Sequence, residues 1–295
     1  MKVSAHKASD SQQHDQHSLQ PNPGGLGFET DSSDSLGLRG HAAFEPEVLS
    51  ALTRHIRPGM SVVDAGAHIG FFTMHMARLV GQHGRVHAFE PEQENLRLLR
   101  RNIAHEDLRN VEVHGVALGE HDEVGTLHLS DYSTGMHRLY DSLCCGSASA
   151  KVPVRRLDAI FSPGDINVLK IDVEGFEPFV LAGARSLIRG RNLVMISEYC
   201  APAMIEAGAS IRTYLAWLKH EGYFFSDAEA SPLPWAALET DACRWEDFGR
   251  ARLRDACASK SNPEIAATCE QIARDLGCMR PIIENLVIAP LGQWR

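Results

Sequence analysis

The sequence lacks a hydrophobic run that could cross a membrane, since no stretch reaches the roughly 18 consecutive uncharged apolar residues that a spanning helix needs. Its N-terminus also lacks the continuous apolar segment of a secretory signal. The 7 cysteines include no C-x-x-C pair, and the adjacent Cys144 and Cys145 are badly placed to bridge each other in a regular backbone. We therefore predict reduced thiols, no membrane span and a cytoplasmic location.

Positive charge is also scarce. The 295 residues include 29 Lys and Arg against 38 Asp and Glu, which gives a formal net charge of -9. This balance argues against a nucleic-acid partner, because proteins that bind nucleic acid neutralise its phosphates with basic residues. With 44% hydrophobic and 23% charged residues, the composition is typical of a globular protein with one large domain and additions, or with two smaller domains.

Residues 1–40 are rich in Ser, Gln, His, Asp, Gly and Pro and show no periodicity. Such a segment buries too little apolar surface to offset its ordering entropy, so we predict a disordered tail. Its His6, His14 and His17 are irregularly spaced, which favours a solvated tail over a metal site, and we assign them no function. Residues 41–295 are predicted to form the folded domain.

From Glu45 onward, strand-like segments alternate with helix-like periodic segments, which predicts a parallel, doubly wound α/β sheet. The strand candidates, in chain order, are SVVDAG, RVHAFEP, VEVHGVAL, INVLKIDVEG, NLVMISEY, YFFS and ENLVIAP. The segments EPFVLAGARSLI and SIRTYLAWLKHEG are among the helix candidates. Residues 119–156 form a polar excursion in which GTLHLS and KVPVRRL predict a hairpin, and residues 227–281 form a helical insertion.

The segment SVVDAGAHIGFFT, residues 61–73, leads from the first strand through a glycine turn into a helix. Gly66 and Gly70 suit the tight turn, but His68 stands where a dinucleotide fingerprint has its second glycine, and its side chain would collide with a pyrophosphate. S-adenosylmethionine has an adenosine and no phosphate, and its carboxylate could use N–H groups at the start of the following helix. The loop therefore favours that cofactor over NAD.

The strand ends supply further candidate cofactor contacts. Glu90 ends the second strand, 20 residues after Gly70, where a carboxylate can accept hydrogen bonds from both ribose hydroxyls. Asp64 is placed to hold the loop and to approach the methionine ammonium group, and Ala117 in the third strand belongs to the same predicted site. Taken alone, the loop is explained equally well as a tight turn made by Gly66, Gly70 and Asp64 without a ligand.

Five motifs, in sequence order, resemble the FkbM family of S-adenosylmethionine-dependent methyltransferases: VVDAGAHIGFFT, HAFEPEQENLRLLRRNI, VPVRRLDAI, VLKIDVEGFEPFVLAGARSLI and VMISEY. The resemblance covers residues 45–199, about half of the chain, and KIDVEG is its most distinctive part. It implies a class I methyltransferase (Rossmann-like) fold, whose sheet of seven strands is mostly parallel with an antiparallel last strand, here ENLVIAP. It also implies methylation of a hydroxyl oxygen on a secondary metabolite or on a glycan or glycolipid sugar.

The resemblance also carries site positions onto this sequence. It places Asp172 and Glu174 in the fourth-strand motif. After Tyr199 the pattern fades, so the resemblance does not identify the acceptor. The positions that it assigns to the cofactor are Asp64, Gly66, Ala67, His68 and Gly70 in the loop, with Glu90 at the ribose.

Methyl transfer to an alcohol needs an acceptor oxygen held about 3 Å from the methyl carbon and a group that takes the proton of the alcohol. Asp172 and Glu198 end the fourth and fifth strands, at the edge where open α/β sheets bind ligands, and are our candidate catalytic carboxylates. His137 in the excursion is a further candidate, as base or substrate contact, although an exposed loop histidine is the simpler interpretation. Glu174 is equally suited to capping the next helix, and Lys170 to neutralising charge.

We expect the insertion at residues 227–281 to leave the sixth strand at this same edge and to cap the acceptor pocket. Its Trp235, Trp245 and Phe248 are candidate apolar walls for a bulky substrate. Aromatic residues in a helical insertion are at least as often simple packing groups, so this alternative stays open.

Other functions also stay open. N-methylation of a small amine needs the same cofactor site, and a non-catalytic module that binds an adenosyl ligand would keep the fold. An NAD-dependent oxidoreductase is disfavoured by His68 and by the lack of a second dinucleotide half. Asp172, Glu198 and another carboxylate could gather Mg²⁺, but we favour a metal-free site whose partner is a small-molecule hydroxyl acceptor.

Overall fold

The computed structural model describes residues 20–21, 27–31, 34, 37, 44–190, 192–249, 251–253, 261–276, 278 and 283–290. Most of the predicted tail, including His6, His14 and His17, lies outside these residues. Within it, Glu29 is buried, and its backbone N–H donates to Asn102 Oδ1 at 2.7 Å. This part of the segment is therefore docked on the helix that carries Asn102, and disorder of the rest stays a prediction.

The strands alternate with helices along most of the chain. The strands are β1 (Gln20–Pro21), β2 (Gly27–Phe28), β3 (Ser61–Ala65), β4 (Arg85–Phe89), β5 (Val111–His114), β6 (Ala117–Leu118), β7 (Glu123–His128), β8 (Ser149–Arg155), β9 (Val168–Ile171), β10 (Val194–Cys200), β11 (Tyr223–Asp227) and β12 (Ile283–Pro290). The helices are α1 (Pro46–His55), α2 (Phe71–Val80), α3 (Gln93–His105), α4 (Leu157–Ile160), α5 (Glu177–Ala182), α6 (Arg185–Arg189), α7 (Ala201–Glu206), α8 (Ile211–His220), α9 (Trp235–Arg244) and α10 (Asn262–Leu276). A π-helical turn, Trp245–Gly249, follows α9 directly.

The central sheet has the strand order β11-β12-β10-β9-β3-β4-β5. Its strands β3, β4, β5, β9 and β10 pair in parallel, whereas β12 pairs antiparallel with both β10 and β11. The predicted doubly wound α/β sheet, mostly parallel with an antiparallel last strand, is confirmed. This is the class I methyltransferase arrangement that the resemblance implied.

The inner strands are apolar on both faces because helices cover both sides of the sheet. In β3, Val62 packs in one apolar cluster with α1 and α2, while its neighbour Val63 packs in another with α5, α6 and α8. Strand β9 is buried along its whole length. This explains why SVVDAG and INVLKIDVEG show continuous apolar runs instead of alternation.

The third predicted strand, VEVHGVAL, is wrong in its extent. Strand β5 belongs to the central sheet, whereas β6 pairs with β8 in a separate sheet of order β6-β8-β7. The apolar pattern continues through the break at Gly115, so it does not reveal that the chain changes sheets there. Strands β7 and β8 form the predicted antiparallel hairpin, in which Glu123 lies opposite Val154.

The predicted helix EPFVLAGARSLI is also interrupted, because the chain forms α5 and α6 on either side of Gly183. A Cβ at Gly183 would overlap the carbonyl oxygen of Gly119. The two helices therefore meet where the backbone packs directly against the start of the excursion, a contact that helical periodicity cannot predict.

The insertion packs mainly on α7 and α8. Leu238 and Trp245 are buried in the apolar cluster beneath it, and Trp235 makes an edge contact with Phe225 at 4.8 Å between ring centroids. Phe248, in contrast, is 58% exposed. Among the described residues, each helix is too short or too polar to span a membrane.

Candidate functional site

The carboxyl ends of β3, β4 and β9 meet at one edge of the central sheet, which is where open α/β sheets bind ligands. Residues of the excursion lie over this edge and enclose a cleft. The described lining residues are Gly66, His68, Phe89, Glu90, Pro91, Asn95, Val116, Ala117, Leu118, Leu127, Thr134, Gly135, His137, Leu139, Asp172, Val173 and Glu174.

The cleft brings together most of the residues predicted for the site. Those that line it are Gly66, His68, Glu90, Ala117, His137 and Asp172. The predicted residues outside its described lining are Asp64, Ala67, Gly70 and Glu198. The described lining includes no residue of the insertion, so the cap role of that segment stays a prediction.

Two glycines make the loop between β3 and α2 possible. Gly66 has φ 82°, and a Cβ there would overlap the carbonyl oxygen of Asp172. Gly70 has φ 98°, and a Cβ there would press into a side chain of α3. The N–H groups of Gly66 and Ala67 both donate to the Phe89 carbonyl, at 3.1 and 2.9 Å. Ala67 and Gly70 thus shape the loop through its backbone.

His68 joins the loop to both the sheet and the excursion. Its backbone is left-handed, with φ 50°, and its N–H donates to Glu90 Oε2 at 2.9 Å. Its Nε2 lies 2.8 Å from Thr134 Oγ1, whereas its buried Nδ1 has no hydrogen-bond partner among the described residues. Burial lowers the pKa of this imidazole to about 4, so the ring is neutral at pH 7. His68 therefore lines the cleft and holds one buried ring nitrogen without a hydrogen-bond partner among the described residues.

Glu90 is a buried carboxylate that can accept further hydrogen bonds. Its Oε2 accepts the His68 N–H, and its Oε1 accepts the Glu92 N–H at 2.9 Å. Burial raises the pKa of Glu90 to about 7, although these backbone hydrogen bonds oppose the shift. Because each carboxylate oxygen can accept more than one hydrogen bond, both can also take a hydroxyl donor.

A buried lysine connects the carboxylates of β3 and the turn after β9. Lys170 Nζ lies 3.1 Å from Asp172 Oδ2 and 3.7 Å from Asp64 Oδ1. Asp64 also accepts the Thr73 hydroxyl at 2.6 Å. Although burial opposes a charged amine, Asp172 and Asp64 hold the pKa of Lys170 above its ordinary value. Asp64 thus fastens β3 to α2 from behind the cleft, while Asp172 lines the cleft itself.

The turn after β9 is held by a carboxylate that the sequence analysis did not single out. Glu177 Oε1 accepts the N–H groups of Val173 and Gly175, at 3.0 and 3.2 Å. Glu174 in this turn has φ 59° and pairs with Arg138 of the excursion at 3.0 Å. Burial raises the pKa of Glu174, and Arg138 opposes that shift. The carboxylate that holds the turn is therefore Glu177, while Glu174 joins the sheet to the excursion.

Glu198 lies on β10 beside Asp172, since Ser197 pairs with Ile171 in the parallel ladder. Its Oε2 is buried and has no hydrogen-bond partner among the described residues. Burial, reinforced by the charges of Glu174 and Asp172, raises the pKa of Glu198 well above its ordinary value. The raised pKa favours the protonated form of Glu198, which can donate a hydrogen bond.

His137 lines the cleft from the excursion side. Its Nδ1 accepts the Ser130 N–H at 3.0 Å, so in the neutral imidazole the proton is assigned to Nε2. Burial lowers the pKa of His137, which keeps the ring neutral at pH 7. With Nδ1 occupied, His137 presents an N–H donor and suits a substrate contact better than the role of base.

The donor set fits S-adenosylmethionine better than a dinucleotide. His68 carries a side chain where the dinucleotide fingerprint needs a glycine beside the pyrophosphate, and its buried Nδ1 has no hydrogen-bond partner among the described residues. Glu90 can accept from ribose hydroxyls. Sequence reasoning could have found Glu177 from its place two residues after the DVEG turn. Thr134 and Arg138 contact residues that are 66 and 36 positions away in the sequence, so no local pattern marks them.

Parts of this sequence are similar to known methyltransferases. Methyltransferase 1 of Beauveria bassiana (strain ARSEF 2860) is 29% identical over 143 residues, which cover 41% of this chain and 57% of that protein. Protein-L-isoaspartate O-methyltransferase 1 of Arabidopsis thaliana is 26% identical over 125 residues, which cover 42% of this chain and 50% of that protein. The chain thus spans between half and three fifths of the length of these two relatives.

Among solved structures, the methyltransferase FkbM from Methylobacillus flagellatus KT has 21% sequence identity and a TM-score of 0.38, and the match covers 61% of this chain and 46% of that one. A family model described as the methyltransferase FkbM domain matches residues 64–225, more than half of the 295 residues. That range includes the glycine loop, Glu90, the excursion and the turn after β9. The chain therefore belongs to the FkbM methyltransferase family, whose methyl donor is S-adenosyl-L-methionine.

Proposed function

We propose that the protein transfers a methyl group from S-adenosylmethionine to a hydroxyl oxygen of a small molecule, such as a secondary metabolite or a glycolipid sugar. The observation that carries this proposal is the position of Asp172. It lines the same cleft as Glu90 and His68, its Oδ2 is held by Lys170 at 3.1 Å, and its Oδ1 has no partner among the described residues. A fixed carboxylate with one open oxygen suits a base for an alcohol.

The reaction forms an O–CH₃ bond, breaks the S–CH₃ bond of the sulfonium, and releases S-adenosylhomocysteine and the proton of the hydroxyl. When bound, S-adenosylmethionine supplies the electrophilic methyl group. The protein has to hold the acceptor oxygen about 3 Å from that carbon, which accounts for much of the rate in such displacements. Asp172 Oδ1 receives the proton, and Lys170 keeps the carboxylate in place.

Other residues of the cleft orient the two reactants. Glu90 accepts from the ribose hydroxyls, and His68 contacts the methionine end through Nδ1. The Nε2–H of His137 donates to the acceptor from the excursion side. Glu198, whose raised pKa favours the protonated form, is a further hydrogen-bond donor beside Asp172.

A second candidate, N-methylation of a small amine, is favoured by the charge around the turn after β9. Glu45 packs near Asp172 and Glu174, and burial together with the Asp172 charge raises the pKa of Glu45 to about 7. Such a group of carboxylates attracts an ammonium ion, which must lose a proton before it can be methylated. Asp172 would serve as the base in both reactions.

The described cysteines are free thiols, which is compatible with the predicted cytoplasmic location, and that location stays a prediction.

The test is a transfer screen with methyl-labelled S-adenosylmethionine against hydroxylated metabolites, sugars and small amines. Label in an alkali-stable ether supports O-methylation, and label in an amine supports the second candidate. Asp172→Asn should slow transfer by roughly two to four orders of magnitude, whereas Asp107→Asn, at a side chain that is 77% exposed, is the matched control. Binding of S-adenosylhomocysteine without transfer to any acceptor would indicate a non-catalytic module.

A further inference from the structure

Two histidines and a glutamate form a cluster at the edge of the central sheet, outside the described lining of the cleft. His87 lies on β4, and Glu112 and His114 lie on β5. The parallel ladder places His87 opposite Glu112 and Phe89 opposite His114. Side chains two residues apart on a strand share a face, so the three groups point to the same side of the sheet.

The three side chains are close enough to share one ion. His114 Nε2 lies 3.4 Å from His87 Nδ1, and Glu112 oxygens lie 3.5 Å from His87 Nδ1 and 3.8 Å from His114 Nε2. Two ligands bound tetrahedrally to zinc at about 2.0–2.1 Å are about 3.3 Å apart, by the geometry of the tetrahedron. The separations therefore need only small adjustments to meet that geometry.

We propose that His87, Glu112 and His114 form a binding site for a divalent transition metal of the zinc class. Imidazole nitrogens together with a carboxylate are ligands that zinc prefers, whereas Mg²⁺ and Ca²⁺ prefer sites made of oxygen atoms alone. Three protein ligands leave a fourth position for water. The Glu112 side chain is 50% exposed, which gives the ion a path from solvent.

Aromatic packing holds the two imidazole rings in place before any ion binds. The His114 ring stacks on Phe89 with 4.4 Å between centroids and an interplanar angle of 11°. Phe161 makes an edge contact with His87 at 4.8 Å. Fixed rings lose little side-chain entropy on binding, which favours a site over a chance encounter of three flexible groups.

One cation competes for the same carboxylate. Arg85 Nη1 lies 3.8 Å from Glu112 Oε2, and its own side chain is 58% exposed. A bound metal would have to share Glu112 with this guanidinium or displace it. Loss of a ligand should weaken metal binding, whereas loss of this competing cation should strengthen it. We therefore expect Arg85→Gln to bind the metal more tightly than the wild type.

The experiment measures Zn²⁺ binding to the full chain without an affinity tag, by isothermal titration and by elemental analysis after dialysis. We expect the wild type to bind one Zn²⁺ per chain. His114→Ala or Glu112→Gln should lower the Zn²⁺ affinity at least tenfold or abolish binding, because loss of partners outside the ligand shell already lowers metal affinity roughly 10–100-fold. Glu112→Gln alters a half-exposed side chain, so it remains informative if a histidine variant fails to fold. His83→Ala is the matched control at a histidine outside the cluster.

The N-terminal histidines must be separated from this site. A variant with His6, His14 and His17 replaced by Gln should keep the full stoichiometry, and Co²⁺ titration should give visible absorption bands of a tetrahedral site that Glu112→Gln abolishes. Loss of the bound metal in the N-terminal variant, or equal binding by wild type, His114→Ala and Glu112→Gln, would overturn the proposal.

Discussion

Replacement of Glu90 by Gln tests the ribose contact with little change in shape. The carboxylate is 5% exposed and accepts the N–H groups of His68 and Glu92, each at 2.9 Å. The amide has one acceptor oxygen, so ribose hydroxyls lose a charged acceptor. We expect Glu90→Gln to weaken S-adenosylhomocysteine binding by about 1.5–3 kcal/mol, the range for hydrogen bonds to a charged group. In Kd this is roughly tenfold to more than a hundredfold.

The pH dependence of binding provides a second signature of the same contact. Burial raises the pKa of Glu90 from 4.5 to about 7, so Glu90 is protonated in most molecules of the free protein at pH 6. Hydroxyl donors bond best to the ionised form, so binding at low pH has to release a proton. We expect wild-type affinity to rise by up to about tenfold between pH 6 and pH 8, and Glu90→Gln to lose this dependence.

The stability of the fold should respond to pH in the opposite sense. A carboxyl whose folded-state pKa lies above its unfolded value favours the folded state when it is protonated. Glu90 therefore adds a cost to folding that is absent below about pH 4.5 and grows as the pH rises through about 7, where it reaches the order of 3 kcal/mol. Glu90→Gln removes that cost. It also leaves one backbone N–H poorly paired, which costs about 1–3 kcal/mol. Because the two effects nearly cancel, the melting temperature of the variant at pH 8 should stay close to that of the wild type.

Isothermal titration with S-adenosylhomocysteine at pH 6, 7 and 8 measures both signatures. Glu94→Gln is the matched control, because that side chain is 71% exposed and lies outside the described lining of the cleft. Equal affinity of wild type and Glu90→Gln would refute the ribose assignment. Retention of the full pH dependence in the variant would assign the titration to another group.

Three further variants test the remaining roles. Asp172→Asn should lower kcat by roughly two to four orders of magnitude while S-adenosylhomocysteine affinity changes only a few-fold, as measured by labelled-methyl transfer and titration. Arg138→Met leaves Glu174 and Glu206 without their buried partner and should lower the free energy of unfolding by about 3–5 kcal/mol in urea denaturation. Phe248→Ala should raise the acceptor KM without loss of stability if the insertion caps the pocket, and an unchanged KM would contradict that role.

The sequence was most informative where local chemistry decides the structure. Apolar strands buried on both faces and glycines with positive φ leave patterns within a few residues, so the central sheet and the turn at Gly66 could be predicted. The ends of VEVHGVAL could not, because the same apolar residues serve β5 in one sheet and β6 in another. The metal cluster was missed for a related reason: E-x-H in β5 becomes a ligand pair only when the register brings His87 opposite Glu112.

The excursion determines more of the cleft than the sequence pattern could show. Thr134 reaches His68, His137 presents a donor, and Arg138 bonds Glu174 at 3.0 Å and Glu206 of α7 at 3.2 Å. Since the π-helical turn of the insertion packs on α7, the insertion is connected to the cleft through the Glu206 and Arg138 pair, although none of its described residues lines the cleft. A change in the insertion can therefore alter acceptor binding in two ways, by direct contact at Phe248 or by displacement of α7. The Phe248→Ala variant tests the first way alone, whereas Arg138→Met weakens the α7 connection, in which Glu206 still accepts from the Ser142 hydroxyl and the Leu143 N–H, and leaves Phe248 in place.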